Sequence, residues 1–501
     1  MGLYDITVYN LLGRNARVNG DGTALVFGEN TISHEQLLEI VDRLAAGLRS
    51  AGVGRGSRIG ILAKNCPEYV YLYGAAAKLG AVVVPINWRL TPSEIGYILA
   101  DALPAVLLVE AEFKPLLNFP EASSSIPKQC LSLGDGDGAF KGLQQILDGP
   151  APTGDAAGFD DGYVMIYTAA VSGKPRGAVL THKGLFLASM ELVSQWGLTA
   201  EDTNLAVLPL FHVAGILTLM SAIEAGGTNV ILRDFDPETA VKCIWESGVS
   251  FFISFPPMLS SLLDRAEAES VDITSIRHLL GIDNPDTIDR FEKMAGATFW
   301  STYGQTETSG IASFAPYKDQ PGSAGLPIRP VEVQVVDEYD NILPPGKSGE
   351  IVVRGPTIFQ GYWNLPTETA HTFRAGWHHT GDLGRFSEDG YLWFEGRLSE
   401  KELIKSGGEN VYPAEVEKAV LEHPIVEEAC VIGVPDEQWG ETIKAVCVLK
   451  SGETVKESEL IEFVASRIAR YKKPKRVVFV TKLPKKPDGG VDRAKVKGLY
   501  G

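Results

Sequence analysis

The stretch from Tyr167 to His182 reads YTAAVSGKPRGAVLTH, and the interpretation of the whole chain depends on it. It continues an apolar, β-prone run, YVMIYT, and then turns at Gly173 and Gly177, with Lys174 and Arg176 between the two glycines. A strand that leads into a turn of glycines and cations is the outline of a loop that holds phosphate. It is not a Walker A sequence, because proline rather than serine or threonine follows Lys174. Taken alone, a purely structural turn explains the stretch equally well.

The composition predicts a large globular protein. With 501 residues and 45% hydrophobic content, the chain can bury the cores of two or three domains. A formal net charge of −17 would repel nucleic acid, so no nucleic-acid partner is expected. The 5 cysteines are scattered, form no CxxC pair and offer no zinc site, which is typical of a reducing compartment. The N-terminus has no secretory pattern and no apolar run reaches about 18 residues, so we expect a cytoplasmic location without a membrane span. The sequence leaves the oligomeric state open.

The first 290 residues alternate between helical and extended patterns. Ser33 and Gln36 form a capping-box signature ahead of apolar residues at helical spacing, and Gly52 follows as a stop. Short apolar runs, RIGIL from 58, AVVVPIN from 81 and AVLLVE from 105, are separated by helix-like sequence. This pattern predicts an α/β domain in which helices cover layered sheets.

The pattern changes twice in the second half of the chain. The runs VEVQVVD, GEIVVRG and GYLWFEG are separated by turn sequence and predict a small β-rich subdomain at about 322–397. Beyond it, helical patterns (AEVEKAVLEH, SELIEFVASRIARY) and strand patterns (EACVIGV, KAVCVLK, RVVFV) predict a separate α+β domain. We therefore expect a large N-terminal α/β domain, 1–397, joined by the polar segment LSEKE to a separate C-terminal domain, 398–501.

Three further stretches carry groups suited to a nucleotide. STYGQTETSG, from Ser301, contains threonine hydroxyls for phosphate and the carboxylate of Glu307 for Mg²⁺, which needs few protein ligands. TGDLG, from Thr380, exposes Asp382 between glycines, where it could accept bonds from a vicinal diol. GRLSEKELIKSGGENVYPAEVEKAV, from Gly396, adds an arginine and a Gly-Gly loop. Each has an ordinary explanation as a helix start, a cap or a turn, but the ordered set is hard to explain as chance.

This ordered set resembles the adenylate-forming superfamily of acyl-CoA synthetases, adenylation domains and luciferases. The opening loop matches the family's YTSGTTGxPKGVxxTH, and further matches are PLFHVAG from 209, FPPMLSSLL from 255, STYGQTE from 301, TGDLG from 380 and the segment ending ELIKSGGENVYPAEVE. The resemblance covers nearly the whole chain. It implies an acid–CoA ligase with the cofactors ATP and Mg²⁺ and with CoA as co-substrate. Such an enzyme joins a carboxylic acid to AMP, releases pyrophosphate and then passes the acyl group to CoA.

The resemblance also implies roles for particular residues. Thr306 would contact the α-phosphate, Glu307 would hold Mg²⁺ and Arg397 would contact ribose or phosphate. The nucleotide-binding set would be Ser172, Gly173, Lys174, Arg176, Tyr303, Gly304, Gln305 and Asp382, with Asp382 on the ribose hydroxyls and Tyr303 beside the adenine. Phe211, His212 and Gly215 would border the acyl pocket, Glu402 would be the hinge of the C-terminal domain, and Gly407 and Gly408 would line a thiol tunnel.

The chain departs from the family pattern at two places. Ala169, Ala170 and Val171 replace hydroxyl- and glycine-bearing positions of the phosphate loop, and Gly490 stands where the family has a lysine that bridges carboxylate and α-phosphate. Whether a nearby lysine, such as Lys485, substitutes is open at this point.

Three functional hypotheses follow from these matches and departures. The first is an acid–CoA ligase with weakened adenylation, for which the apolar run VAGILTLM, 213–220, favours a hydrophobic acid. The second is a protein that binds nucleotide or acyl-CoA without making adenylate. The third, a module that loads a carrier protein, is disfavoured because no carrier domain follows Gly501.

Overall fold

A computed structural model of the chain describes residues 5–119, 125–134, 136, 140–146, 157–168, 174–398, 403–406, 409–436, 440–486 and 490–501. The helices of these residues are α1 (Val8–Asn19), α2 (His34–Ser50), α3 (Pro67–Leu79), α4 (Pro92–Ala102), α5 (His182–Trp196), α6 (Val213–Ala225), α7 (Pro237–Ser247), α8 (Met258–Glu269), α9 (Pro285–Ala295), α10 (Pro366–Thr372), α11 (Pro413–Leu421), α12 (Glu457–Ala465) and α13 (Arg493–Tyr500). The strands are β1 (Thr23–Phe27), β2 (Asn30–Ser33), β3 (Arg58–Leu62), β4 (Val82–Ile86), β5 (Val106–Val109), β6 (Gln129–Ser132), β7 (Lys141–Gly142), β8 (Gly162–Thr168), β9 (Arg176–Thr181), β10 (Thr203–Ala206), β11 (Thr228–Ile231), β12 (Phe251–Ser254), β13 (His278–Gly281), β14 (Thr298–Tyr303), β15 (Ser313–Pro316), β16 (Leu326–Pro327), β17 (Glu332–Val336), β18 (Gly349–Arg354), β19 (Gly361–Tyr362), β20 (Phe373–Arg374), β21 (Trp377–Phe386), β22 (Leu392–Arg397), β23 (Ile404–Ser406), β24 (Glu409–Val411), β25 (Val426–Asp436), β26 (Gly440–Leu449) and β27 (Arg476–Phe479).

The predicted α/β architecture of the large domain is confirmed. One sheet has the strand order β16-β15-β14-β13-β12-β10-β11-β1-β2, and a second has the order β19-β9-β8-β4-β3-β5-β6-β7. Both centres are parallel, as between β13 and β14 and between β3 and β4, and the helices between the strands cover the sheets. The predicted runs at 58, 81 and 105 are the adjacent strands β3, β4 and β5.

Helix α2 illustrates how local sequence sets an element. The Ser33 hydroxyl accepts from the Gln36 amide at 3.2 Å and the Gln36 side chain accepts from the Ser33 amide at 2.9 Å, which is the predicted capping box. The buried face carries Leu37, Val41, Leu44 and Leu48 at helical spacing. This face packs into the largest core cluster, which joins α2, α3 and α6 to strands of both sheets.

A third sheet forms the β-rich part of the chain. It has the order β17-β18-β21-β20, with β22 paired to the other side of β21. The three predicted runs are β17, β18 and β22. One expectation was wrong: Asp382 lies inside the long strand β21 and is 1% exposed, rather than exposed on a turn between glycines.

The C-terminal residues form a fourth sheet, β24-β23-β26-β25, with β27 paired parallel to β26. Helices α11 and α12 cover one face of this sheet, and α13 contributes Val496 to a cluster on the other. The run SELIEFVASRIARY was predicted as a single helix, but α12 ends at Ala465 and a 3₁₀ turn follows at Arg470–Lys472. Pro474 disfavours helix at the residue before it, and Ala469 packs against the large domain instead. Among the residues that the structure describes, no helix is both long and apolar enough to span a bilayer.

Candidate functional site

The end of strand β14 brings several of the predicted residues together. Beyond Tyr303 the chain forms a 3₁₀ turn, Thr306–Thr308, whose first two residues are buried. The phenol of Tyr362 donates to Glu307 Oε1 at 2.8 Å, and the Phe359 amide donates to the Glu307 carbonyl oxygen at 3.0 Å. The Glu307 carboxylate is therefore fixed at the sheet edge by a neighbouring segment, which the sequence patterns did not predict.

Asp382 is the second buried carboxylate of the site. Its Oδ2 accepts from the Tyr303 phenol at 2.8 Å and from Gln305 Nε2 at 2.5 Å. Its Oδ1 is buried, accepts no hydrogen bond, and lies 3.3 Å from Nε of Arg397, the residue opposite it in the β21–β22 pairing. Because a buried carboxylate oxygen ordinarily accepts hydrogen bonds, Oδ1 fits a ligand that brings hydroxyl donors, such as a vicinal diol.

Hydrogen bonds between β18 and β21 fix the backbone next to Asp382. Glu350 Oε1 accepts from the Gly381 amide at 2.8 Å, while its Oε2 lies 2.8 Å from His379 Nδ1 and 3.0 Å from a guanidinium nitrogen of Arg374. Burial raises the pKa of Glu350, but the hydrogen bonds from His379 and Gly381 outweigh it and hold the pKa below its usual value. Burial beside Asp382 likewise raises the pKa of the Tyr303 phenol, which therefore stays a donor.

Arg176 supplies a cation next to Glu307. Its guanidinium lies 4.2 Å from the centre of the Tyr362 ring, and its Nε is buried without a hydrogen-bond partner. Such a partly unsatisfied guanidinium fits an anion with several oxygens, such as phosphate. Lys174 is exposed instead, with its ammonium 5.7 Å from the Tyr97 ring. The calls on Ser172 and Gly173, and the three altered residues before them, lie outside the described residues.

Phe211 and His212 lie in the segment that leads into α6. Two buried side chains form hydrogen bonds to the backbone of this segment. Asn65 donates to the carbonyl of Leu208 at 3.0 Å and accepts from the amide of Leu210 at 2.8 Å. The phenol of Tyr73 donates to the Leu210 carbonyl at 2.7 Å. These buried bonds orient the two side chains that follow.

A cavity of about 90 Å³ opens between this segment and the residues Thr168 and Pro175. Its lining comes from both domains: Pro85, Asn87, Leu90, Ile98, Ile166, Tyr167, Thr168, Pro175, Phe211, His212, Thr306, Tyr471 and Lys472. A larger cavity, of about 810 Å³, opens beside α2 and β6 and shares no lining residue with it. We assign the chemistry to the smaller cavity because only that one contains predicted site residues.

Gly215, the third residue predicted to border the acyl pocket, has a packing role in this structure. A Cβ at Gly215 would lie 2.5 Å from the Pro209 carbonyl oxygen, so only glycine permits this approach of α6 to the preceding segment. The apolar run 213–220 is buried, with Ile216 and Leu219 in the central core. Its apolar character therefore follows from core packing, and the cavity itself contains Leu90, Ile98 and Ile166 from other elements.

The C-terminal domain contributes Tyr412 to the same cleft. This side chain is buried, and the charges of Arg397, Glu307, Arg176 and Asp382 all act on its phenol, whose pKa burial raises. Tyr412 directly follows the hairpin of β23 and β24, in which the Lys405 ammonium lies 5.9 Å from the Phe394 ring. The predicted loop residues Gly407 and Gly408, and the hinge residue Glu402, are outside the described part of the chain, but the strands on both sides of the Gly-Gly pair lie beside the site.

The segment around Gly490 packs on the C-terminal domain's own sheet. The Gly490 carbonyl accepts from the Lys486 amide at 2.7 Å, Lys485 pairs with Glu428 at 2.8 Å, and α13 packs against β25. None of these contacts puts a lysine of this segment at Thr306 or Glu307.

Several residues that matter for the geometry were assigned no role from the sequence, although Tyr412 lies within the quoted segment ELIKSGGENVYPAEVE. They are Asn65, Tyr73, Glu350, Tyr362 and Tyr412, and each reaches the site through a contact distant in sequence. Asp382 and Arg176 have the orphaned polar atoms expected of a nucleotide site. No group of three or more metal-binding side chains occurs in the ranges that the structure describes, so a cation here would depend on Glu307 and on oxygens of the ligand.

Comparison with known proteins identifies the family of the chain. The model of the AMP-binding enzyme family matches residues 12–363, and that of the AMP-binding enzyme C-terminal domain matches residues 415–489. The chain is 34% identical over 496 residues to indoleacetate–CoA ligase from Aromatoleum aromaticum, covering 97% of each chain. It is also 34% identical over 503 residues to feruloyl-CoA synthase from an Amycolatopsis species, covering 97% of this chain and 98% of the other.

Two solved structures of o-succinylbenzoate CoA synthetase from Bacillus subtilis resemble the chain to different degrees. A double mutant bound with its product analogue OSB-NCoA has a TM-score of 0.85 at 29% identity, covering 98% of both chains. The complex with the acyl-adenylate intermediate has a TM-score of 0.71 at 28% identity, covering 99% of both chains. The overall structure is thus more similar to the product-analogue complex than to the acyl-adenylate complex of this relative, and the chain belongs to the AMP-binding enzyme family.

Proposed function

We propose that the protein is an AMP-forming acid–CoA ligase that activates a hydrophobic carboxylic acid in the cleft between its two domains. One observation carries the proposal: the buried carboxylate of Asp382 lies 3.3 Å from Nε of Arg397, and that of Glu307 is bonded to Tyr362, whose ring Arg176 covers. The charges of all four groups act on the buried phenol of Tyr412 from the small domain. The names of the relatives support the reaction class, since they are CoA ligases for indoleacetate, ferulate and succinylbenzoate.

In the first half-reaction an oxygen of the acid attacks the α-phosphorus of ATP, and pyrophosphate leaves. The transition state carries negative charge on phosphate and carboxylate oxygens, so catalysis requires positioning and charge stabilisation rather than a protein nucleophile. We assign the outer phosphates to Arg176, the α-phosphate to the Thr306 hydroxyl, and the ribose hydroxyls to Oδ1 of Asp382. Glu307 would hold the Mg²⁺ that neutralises the phosphates.

In the second half-reaction the CoA thiol loses its proton to water, its sulfur attacks the acyl carbonyl carbon, and AMP leaves with the electron pair of the broken acyl C–O bond. The thiol would enter through the cavity between the two domains, past Tyr471 and the hairpin of β23 and β24. His212 and Phe211 would border the acyl group. The cytoplasm, where CoA and ATP are available and the free thiols of the chain stay reduced, is the proposed location.

The acid is proposed to be hydrophobic because the cavity wall between Phe211 and the phosphate loop contains Leu90, Ile98 and Ile166. A second carboxylate on the substrate would need a cation beside it. Among the residues that line this cavity, Lys472 is the one cation, and two glutamates already neutralise it.

The test is pyrophosphate release and acyl-CoA formation across a panel of acids: indoleacetate, ferulate, 2-succinylbenzoate and fatty acids of several lengths. We expect turnover with at least one hydrophobic acid, loss of turnover in Glu307→Gln, and full turnover in the control Glu338→Gln, whose side chain is exposed. ATP binding without pyrophosphate release on any acid would instead support a protein that binds nucleotide without making adenylate. Failure to bind ATP would contradict both functions.

A further inference from the structure

A buried lysine lies at the boundary between the two domains, outside the proposed nucleotide site. Lys472, in the 3₁₀ turn Arg470–Lys472, is 2% exposed. Its ammonium lies 2.5 Å from Oε1 of Glu94 and 2.6 Å from Oε1 of Glu415. Glu94 belongs to α4 of the large domain and Glu415 to α11 of the small domain, so one cation joins the two.

Glu94 and Glu415 each lie in the first turn of a helix, which positions the carboxylate for this contact. Oε2 of Glu94 accepts from the amide of Thr91 at 2.7 Å and from its hydroxyl at 2.8 Å, which completes the capping box of α4. Glu415 lies in the first turn of α11. A helix N-terminus stabilises a negative charge, and both carboxylates lie at the start of a helix. Burial nevertheless raises the pKa of Glu415, and the charge of Lys472 opposes this rise.

The lysine is retained as a cation by these partners. Burial by itself lowers the pKa of Lys472, but the charges of Glu94 and Glu415 and the hydrogen bonds to them raise the pKa above its usual value. A buried ammonium that loses a carboxylate partner is left with an uncompensated desolvation penalty. The Lys472–Glu94 pair therefore stabilises the one arrangement of the domains in which it can form.

The residues around Lys472 connect this contact to the proposed chemistry. Ala469 and Tyr471, on the same segment, pack into the large-domain cluster that contains Leu90 and Ile98. Lys472 itself lines the cavity that also contains His212 and Thr306. The Glu415 amide donates to the Tyr412 carbonyl oxygen at 3.1 Å, so fixing the start of α11 also fixes Tyr412, whose buried phenol is within reach of the charges of Arg176, Glu307 and Arg397.

We propose that Lys472 is a positioning residue for the thioester-forming half-reaction: it ties α4 to α11 and so holds Tyr412 and the β23–β24 hairpin at the cleft. The proposal rests on the proposed function for its kinetic consequence, but the structural tie can be tested without turnover. Rotation of the small domain for adenylation would have to break the Lys472–Glu94 pair, whereas the Lys472–Glu415 pair lies within the small domain and would persist.

Because only the Lys472–Glu94 pair crosses the domain boundary, a substitution of Glu94 tests the tie most directly. Glu94→Gln removes the charge that crosses the domain boundary, while glutamine still completes the capping box of α4. Lys472→Met is the stronger variant, since it leaves two partly buried carboxylates facing each other without a cation. Glu39→Gln, on the exposed face of α2, is the matched control for the loss of one carboxylate.

The kinetic experiment separates the two half-reactions in the full-length protein. With a synthetic acyl-adenylate and CoA, we expect Glu94→Gln to form acyl-CoA at least tenfold more slowly than wild type, with pyrophosphate release unchanged or faster. Lys472→Met should slow thioester formation further, and Glu39→Gln should match wild type. A variant that is merely misfolded would lose both half-reactions, whereas a positioning role predicts loss of the second alone.

The structural experiment is hydrogen–deuterium exchange on the same proteins without ligand. We expect peptides covering 92–98 and 469–476 to exchange faster in Glu94→Gln and Lys472→Met than in wild type, with the central sheet unchanged. If Glu94→Gln exchanges like wild type and forms thioester at the wild-type rate, the proposal is wrong. If the exchange changes as expected but no acid supports turnover, the tie stands and the proposed function fails.

Discussion

The assignment of Asp382 to the ribose hydroxyls makes a quantitative prediction for Asp382→Asn. In this variant the amide carbonyl can take the place of Oδ2 and keep the bonds from Tyr303 and Gln305. The amide NH₂ then replaces Oδ1, the buried oxygen that faces Arg397 at 3.3 Å and accepts no hydrogen bond. The variant therefore removes the oxygen that we assign to the ligand while it keeps the local packing.

The expected size of the effect follows from the strength of the lost bond. A hydroxyl donated to an ionised carboxylate contributes about 1.5–3 kcal/mol, and one donated to a neutral oxygen about 0.5–1.5 kcal/mol. Since the variant keeps at most a neutral acceptor for the diol, we expect a loss of about 1–3 kcal/mol, or about 5- to 150-fold in the Kd of ATP. Wild type should bind 3′-deoxy-ATP more weakly than ATP, and the variant should discriminate far less between them.

Isothermal titration calorimetry with Mg-ATP and with Mg-3′-deoxy-ATP measures these four dissociation constants without knowledge of the acid. Asp389→Asn is the control, because this exposed aspartate lies on the turn between β21 and β22 and bonds only locally to Ser387. Equal affinity of wild type for the two nucleotides, or an Asp382→Asn variant that retains full discrimination, would refute the assignment of this carboxylate to the ribose.

Three further predictions concern other charged positions. Arg176→Ala should weaken pyrophosphate-dependent ATP formation about 10- to 100-fold, because the half-buried guanidinium beside Tyr362 is a charge-assisted donor to phosphate; wild-type exchange kinetics in the variant would contradict this. Gly490→Lys should raise the rate of pyrophosphate release if this position carries the family's adenylation lysine, and an unchanged rate would argue against that alignment. Burial raises the pKa of Glu224 to about 7, so the folded protein binds a proton more tightly than the unfolded chain and stability falls as the pH rises from 4.5 to 7. Glu224→Gln, which can still accept from Ser189, should therefore melt like wild type near pH 4.5 and at higher temperature at pH 8; coincident melting curves at pH 8 would refute this.

Sequence patterns predicted the local elements and the order of the site motifs well. The capping box of Ser33 and Gln36, the buried strands β3, β4 and β5, and the α/β, β-rich and α+β regions all depend on residues close together in the chain. The same holds for the turn Thr306–Thr308 at the end of β14, where a strand meets a glycine and hydroxyl residues. Local propensity and periodicity are sufficient in these cases because the interactions span only a few residues.

The tertiary structure alone decided the surroundings of these groups. Asp382 is buried because β21 runs between β18 and β22, and Tyr362 reaches Glu307 from 55 positions away. Helix α12 stops before Ala469 so that this segment can dock on the large domain. Lys472 meets Glu94 across 378 positions, a contact that no local pattern encodes. The sequence determined which helices, strands and chemical groups are available, and packing between distant segments determined which of those groups are buried, paired and brought into one cleft, because burial and pairing depend on neighbours that the chain order does not specify.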